Sequence, residues 1–472
     1  MLLKIHDSLN VDRNIGEPLY QQLYEQIKNL IANGTLLPNE KLPPIRSLSE
    51  RLGVNNVTVI NAYKMLESNG YAYSKAGSGT FVRPSIALPP SMVVGSKPSG
   101  IVPSKDESLI DFSTSTPNAE LFPIGDFKDM LNQVLDRDGG GAFSYQEIQG
   151  YYPLREALRS YFTDNGITSA LEDIHIISGA QQGIDIAAKT IVGFNDTIVI
   201  ESPTYTGAIA VFRSRGANIV EIPIEEDGIN TEELEQVLKS TRVKLIYVMT
   251  SYQNPTGVSY SEDKKLQLLY LAHKYDTYIL EDDYLSELRF SSMPTLPIKA
   301  LDGNDRVIYI KSFSKIFMPG LRLGAVIAPS ALTEGMLSSK QTTDISSSSL
   351  MQRAFDLYLR EKKWHSHILY MQEAYKERYG AMKEALRVEF PQAEYMDPKG
   401  GIHMWVKTSA DSSILGSAAR EKGVVVAPGS IFYVDERKSN HFRLSFAAED
   451  KESIVKGVRL LKEAYDEAIG NL

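Results

Sequence analysis

The sequence predicts an α/β chain in two parts: a small helix-turn-helix module with a hairpin wing, and a large body on a mostly parallel sheet. Three observations predict it. Residues 17–83 carry helical apolar spacing punctuated by proline and glycine. Residues 84–108 (PSIALPPSMVVGSKPSGIVPSKDES) are rich in Pro, Ser and Gly and carry neither a helical nor a strand period, which is linker composition. From residue 109 onward short apolar runs alternate with helical patterns, as they do where helices cover a parallel sheet. The expected division is therefore 1–83, a linker over 84–108, and a body over 109–472.

In the first part, Pro18 opens a helix whose apolar positions are Leu19, Leu23, Ile27, Leu30 and Ile31, ended by Gly34. A second helix follows Pro43-Pro44, with Ile45, Leu48 and Leu52 on one face, and Gly53 turns the chain. A third starts near Asn55-Asn56 and buries Val59, Ala62, Tyr63 and Leu66. Two short helices around a glycine turn make a helix-turn-helix. Tyr71–Tyr73 and Thr80–Val82 then flank Gly77-Ser78-Gly79 as a wing. In the body, Ile174–Ile177, Thr197–Ile200, Leu245–Met249, Tyr278–Leu280 and Val307–Ile310 are the buried strand runs, and the serines 346–349 form a loop.

Composition narrows the function. The 472 residues, 43% hydrophobic and 23% charged, are ordinary for a globular chain and exclude a disordered or collagen-like one. At roughly 150 residues per domain, the length predicts about three domains. The absence of cysteine removes disulfides, thiolate catalysis, Fe–S clusters and Cys-ligated zinc together, and fits a reducing cytoplasm. No apolar run approaches the roughly 18 residues of a membrane span, and the start has no signal-peptide pattern. No metal site is expected. The net charge of −9 argues against a globally basic nucleic-acid coat, but it is uneven. Residues 1–84 hold 9 Lys and Arg against 7 Asp and Glu, and the remainder 41 against 52. A small basic module rides on an acidic body.

Chemistry-bearing residues recur at strand ends. Ile176–Gln182 ends a strand, turns at Gly179 and starts a helix, whose free N–H groups suit a phosphate. Tyr205 follows the next strand and can stack on a planar ring or simply pack in the core. Asn254, in Asn-Pro-Thr-Gly, puts an amide at the end of Leu245–Met249, where open α/β sheets bind ligands. Asp282, in Glu-Asp-Asp-Tyr, can face a pyridinium nitrogen or belong to a solvated acidic loop. Lys315 closes Ser312-Phe313-Ser314-Lys315, with Arg322 downstream; a lysine so placed can form a Schiff base with an aldehyde cofactor, although most lysines are solvated.

Two resemblances order these pieces. The run KLPPIRSLSERLGVNNVTVINAYKMLESNGYAYSKAGSGTFV resembles the winged helix-turn-helix of GntR-type bacterial transcription regulators, over residues 17–83. The resemblance implies DNA contacts by Arg46, by Asn55, Asn56 and Thr58 at the start of the third helix, and by Lys75 and Gly77 in the wing. Asn55 serves equally well as a helix N-cap. Asn56 stands where the family often has Arg, and since Asn pairs with adenine and Arg with guanine, a different operator is expected.

Residues 109–472 resemble fold-type-I pyridoxal-phosphate aminotransferases, with a large sheet domain and a small α+β lobe, and within them the 2-aminoadipate and kynurenine aminotransferase branch. The resemblance implies Lys315 as the Schiff-base lysine, Asp282 at the pyridine nitrogen, Asn254 and Tyr284 at the ring oxygen, and Tyr205 stacked on the ring. It implies Ala180, Gln181, Ser312 and Arg322 around the phosphate, Tyr145 reaching the phosphate of a partner subunit, and Arg443 on a substrate carboxylate. Together the two parts resemble MocR-type regulators, in which the aminotransferase-like body senses an effector in a head-to-tail homodimer and the winged helices bind promoter DNA. That implies pyridoxal 5'-phosphate as cofactor and promoter DNA and a small-molecule effector as partners. GabR-like members sense γ-aminobutyrate with an arginine two residues after the stacking aromatic; Thr206-Gly207 follows Tyr205 here, which favours the PdxR-like branch that senses the cofactor and controls vitamin B6 synthesis. A catalytically active aminotransferase with an N-terminal appendage is the alternative.

Overall fold

The computed structural model describes residues 9–11, 18–32, 35–36, 39–68, 71–75, 78–83, 108–290 and 296–470. The chain divides into two compact units, Met1–Lys105 and Asp106–Leu472.

In the first unit the helices are α1 (Leu19–Ala32), α2 (Ile45–Leu52) and α3 (Asn56–Ser68), followed by strands β1 (Ala72–Lys75) and β2 (Gly79–Val82). Leu23 and Ile27 of α1, Leu48 of α2, and Val59, Ala62, Tyr63 and Leu66 of α3 close on one core with Ala72 and Val82 of the hairpin. The helical spacing read from the sequence is the spacing that is buried. Gly53 takes the left-handed conformation (φ 60) that lets α2 end and the chain turn into α3, its N–H bonding the Ser49 and Glu50 carbonyls. The hairpin pairs Ala72 with Val82 and Lys75 with Gly79, so its first strand lies slightly later than the aromatic run suggested and its second begins one residue earlier. Residues 39–42 also run along β2, which sequence reading missed: the Asn39 and Leu42 N–H groups donate to the Val82 and Thr80 carbonyls at 3.0 and 2.9 Å. Gly34, Gly77 and linker residues 84–107 lie outside the described residues.

The second unit begins with β3 (Ile110–Asp111) and is built on an eight-stranded sheet. Its strands are β4 (Ile174–Ile177), β5 (Thr197–Ser202), β6 (Asn218–Glu225), β7 (Gly228–Ile229), β8 (Val243–Val248), β9 (Tyr278–Asp283), β10 (Val307–Ser312) and β11 (Gly324–Ile327). The order is β4-β11-β10-β9-β8-β5-β6-β7. The pairs from β10 through β9, β8 and β5 to β6 are parallel. β11 runs antiparallel between β10 and β4, because residues 313–323 are too few for the crossover helix that a parallel return needs. Alternate residues of one strand enter different cores: Ile198 and Ile200 belong to one cluster, Val199 to another. Burial on both faces is why these strands read as continuous apolar runs.

The small lobe carries β12 (Glu394–Tyr395), β13 (His403–Lys407), β14 (Val424–Val425), β15 (Ala427–Pro428) and β16 (His441–Ser445). Four form an antiparallel sheet, β12-β13-β16-β15, while β14 pairs with β3 at the start of the unit. Among the described residues no helix is long and apolar enough to cross a membrane.

Candidate functional site

The C-terminal ends of β4, β5, β8, β9 and β10 converge on a cavity of about 550 Å³, and β16 of the small lobe adds Arg443. Every cofactor residue expected from the sequence lines it except Tyr145. Tyr145 is 82% exposed and does not contribute to the cavity of its own chain.

At the phosphate end, β4 passes through Gly179 into the helix Ala180–Ile191. Gly179 has φ 84 and ψ 167, a backbone region open essentially to glycine alone. A Cβ there would stand 2.5 Å from Arg322 Nη2. The glycine thus lets the guanidinium approach the first turn, and Arg322 is anchored by the Ser178 carbonyl at 2.6 Å and the Ser314 hydroxyl at 3.4 Å. Ala180 and Gln181, whose N–H groups precede the first intrahelical bonds, face Ser312, Ser314 and Arg322 across the cavity. Helix terminus, hydroxyls and guanidinium are a phosphate-binding donor set. Ser314, the second serine of the Ser-x-Ser-Lys motif, joins this set in addition to the residues expected from the sequence.

In the middle, Tyr205 is half-buried and donates to Gln181 Oε1 at 3.1 Å. Asp282 is buried at the end of β9; its Oδ2 accepts from Tyr247 at 2.8 Å and its Oδ1 has no partner. Burial pushes this carboxyl up to about 7. A buried carboxylate that lines the cavity and has one oxygen without a donor fits a protonated ring nitrogen. Lys315 is pulled down to about 8, first by burial and then by the Arg443 and Arg322 charges. The neighbouring Lys311 is a different case: Asp283 at 3.1 Å and Glu287 at 2.6 Å hold it as a buried ion pair. Of the two lysines at this strand end, only Lys315 lines the cavity and is free of a carboxylate partner among the described residues.

Beyond the ring residues, Arg443 Nη1 donates to Asn254 Oδ1 at 2.7 Å and Nη2 to the Ser113 carbonyl. Its Nε is buried and unpartnered, and no carboxylate pairs with it among the described residues. Tyr284 donates to the Tyr252 carbonyl at 2.6 Å and lies over His403, ring centroids 6.4 Å apart. Asn254 and Tyr284 therefore line the cavity with Asn254 Oδ1 and the Tyr284 hydroxyl already engaged by protein. Sequence reading missed the hydroxyl-bearing segment Ser113–Thr116 and the apolar wall of Val426, Pro428, Ile431 and Phe432 in the cavity lining, and behind it Tyr247 on Asp282 and His403 against Tyr284. These residues carry no local motif: the β8–β9 register sets Tyr247 against Asp282, and lobe packing brings the others to the strand ends.

The start of α3 also resolves into roles. Asn55 Oδ1 accepts from the Val57 N–H at 3.0 Å, an N-cap. The Ser49 hydroxyl lies 2.5 Å from Asn56 Oδ1 and ties α2 to α3. Arg46, Asn55, Asn56 and Lys75 are exposed and Thr58 is half-buried. Val57, 56% exposed beside them, is an apolar tip the sequence reading did not single out.

Comparison with known proteins agrees with both halves. Residues 19–82 match the family described as bacterial regulatory proteins, gntR family, and residues 108–461 match aminotransferase class I and II. An uncharacterised HTH-type transcriptional regulator of Bacillus subtilis, YdfD, is 31% identical over 93% of this chain and 95% of its own length. The probable rhizopine catabolism regulatory protein MocR of Rhizobium meliloti is 29% identical over 97% and 96%. Among solved structures, the Pyrococcus horikoshii kynurenine aminotransferase, in complex with PMP, superimposes with a TM-score of 0.73 at 34% identity, over 76% of this chain and 91% of that one. The Thermus thermophilus α-aminoadipate aminotransferase LysN, complexed with a phosphopyridoxyl-leucine, gives 0.73 at 30% identity, over 78% and 94%. The donor set of the cavity and these neighbours indicate pyridoxal 5'-phosphate as the cofactor. With a GntR helix-turn-helix joined to a fold-type-I aminotransferase domain, the chain belongs to the MocR-type family of bacterial transcriptional regulators.

Proposed function

We propose that this regulator is a cytoplasmic, head-to-tail homodimer that reads promoter DNA with α3 and the wing and senses pyridoxal 5'-phosphate, in the manner of PdxR-like control of vitamin B6 synthesis, with an amino compound as co-effector. The observation that carries the reading is Asp282, which lines the same cavity as Lys315 and whose buried Oδ1 is unpartnered, in a chain that also holds a DNA-reading helix. Bound there, the cofactor supplies an aldehyde and an electron sink. The chain's own residues supply the rest. Ala180, Gln181, Ser312, Ser314 and Arg322 take the phosphate, Tyr205 covers the ring, Asp282 keeps the ring nitrogen protonated, Lys315 offers an amine that gives up its proton more readily than a solvated lysine, and Arg443 takes an effector carboxylate. Exposed Tyr145 is assigned to the partner subunit's phosphate. Arg46, Asn55, Asn56, Thr58 and Lys75 meet DNA, with Gly77 in the wing turn.

Gly207 supports this effector over γ-aminobutyrate. A Cβ at 207 would stand 2.4 Å from Gln181 Oε1 and 2.5 Å from the Tyr205 ring, so an arginine there is sterically barred while Tyr205 keeps its place. Ligand regulates by binding one arrangement of the dimer better than another. The test is operator binding by the purified chain, titrated with pyridoxal 5'-phosphate and candidate amines; a change in affinity or footprint is expected, and no change with any of them defeats the sensor reading. The complete cavity favours a second reading, an active aminotransferase. Robust multiple turnover with amino acids and 2-oxoglutarate, without DNA binding, would establish that one instead.

A further inference from the structure

We infer that the co-effector is an amino acid with one carboxylate and an uncharged, apolar side chain. The inference rests on the reading that the cavity holds pyridoxal 5'-phosphate and that Arg443 takes a carboxylate.

The cavity continues past the ring residues into a wall with two textures. One side is Val426, Pro428, Ile431 and Phe432; the other is the hydroxyl segment Ser113–Thr116. Its cations among the described residues are Lys315, Arg322 and Arg443. Lys315 is the amine at the cofactor, and Arg322 is anchored at the phosphate end by the Ser178 carbonyl. That leaves Arg443 as the one guanidinium for an effector. It is held in place by Asn254 and the Ser113 carbonyl, with the Phe432 ring centroid 5.1 Å from its guanidinium carbon. A first carboxylate thus meets a fixed, desolvated partner. A second carboxylate would enter the Val426–Phe432 wall with no cation to receive it and would lose its hydration there. Position 207 cannot supply the missing cation, because Tyr205 and Gln181 fill the space a side chain would need. An aliphatic or aromatic side chain, by contrast, covers apolar surface on the wall. Phe432 is itself braced by the edge of Trp405, centroids 5.6 Å apart, so the wall is preformed.

The experiment is calorimetric titration of the full chain loaded with pyridoxal 5'-phosphate, the loading read from the visible absorbance of the bound cofactor with Lys315→Ala as control. L-leucine, L-phenylalanine, L-glutamate and γ-aminobutyrate are the probes. Leucine or phenylalanine is expected to bind at least about tenfold tighter than glutamate and tighter than γ-aminobutyrate, which leaves the wall uncovered. A Val426→Thr variant, nearly isosteric, is expected to shrink the leucine-to-glutamate ratio several-fold at unchanged cofactor loading. Equal or tighter binding of glutamate or γ-aminobutyrate, an unchanged ratio in the variant, or no binding of any probe overturns the inference while leaving the cofactor site intact. Absence of the Lys315-dependent absorbance overturns the site reading and the inference with it.

Discussion

Tyr247 donates its hydroxyl proton to Asp282 Oδ2 at 2.8 Å, while Asp282 Oδ1 has no protein partner. One oxygen of the carboxylate is oriented by the sheet and the other has no donor among the described residues. Burial raises the carboxyl and the Tyr247 bond is the leading opposing influence. Tyr247→Phe therefore leaves the Asp282 carboxyl higher still and weakens its charge at the ring nitrogen. A hydrogen bond to a charged group contributes about 1.5–3 kcal/mol, so pyridoxal 5'-phosphate affinity should fall roughly tenfold or more. Fluorescence titration measures this. The edge-on packing of ring 247 against Phe212 is retained by phenylalanine, so the melting temperature should move far less than the affinity.

Lys315 gives the site a pH dependence. Its ammonium releases a proton near pH 8 in the fold, against about 10.4 for an unperturbed lysine. Cofactor loading needs the neutral amine, so its rate should climb about tenfold per pH unit below 8 and level off above it. A rate still climbing at pH 10 would show an unperturbed lysine. Between pH 8 and the unperturbed value the unfolded chain binds more protons than the folded one, so the cofactor-free protein should gain stability from this group as pH rises through that window.

Gly179→Ala forces a side chain into a glycine-only backbone region and against Arg322 Nη2. The strain is of order 1–3 kcal/mol, and Arg322 must also withdraw from the phosphate. Cofactor affinity should drop more than stability does, which titration beside thermal melting would reveal. Equal loss in both would place the effect in the fold alone.

Asn55→Ala removes the N-cap of α3. The expected cost is about 1 kcal/mol of stability in the reader unit. Asn55→Ser restores a capping oxygen without an amide. Recovery of both stability and operator affinity in Asn55→Ser would assign Asn55 to capping; recovered stability with weak DNA binding would assign it to base contact as well.

Lys75→Ala should weaken binding to all DNA sequences about equally and reduce the slope of affinity against salt by about one. Gel-shift titrations over a salt series check this. A sequence-selective loss would place Lys75 on a base edge instead of a phosphate.

Much of this protein was legible before its structure. Alternation of short apolar runs with helical patterns gave the sheet body, because a strand buried on both faces is apolar throughout, as Ile174–Ile177 is. Helical spacing marked Leu23, Ile27, Val59 and Ala62 as the reader core, and the order of Gly179, Tyr205, Asn254, Asp282 and Lys315 marked the strand ends around the cavity. These signals are local: they depend on neighbours in the chain and on the period of one element. Tertiary structure alone decided the rest. It chose Lys315 over Lys311 by giving Lys311 two carboxylates, Asp283 and Glu287, from outside its own strand. It set Tyr247 on one oxygen of Asp282 through the register of β8 and β9, and brought Phe432 and Arg443 of the small lobe to the ends of the large sheet. A pairing between residues far apart in sequence leaves no periodic trace in either segment, so only packing can reveal it.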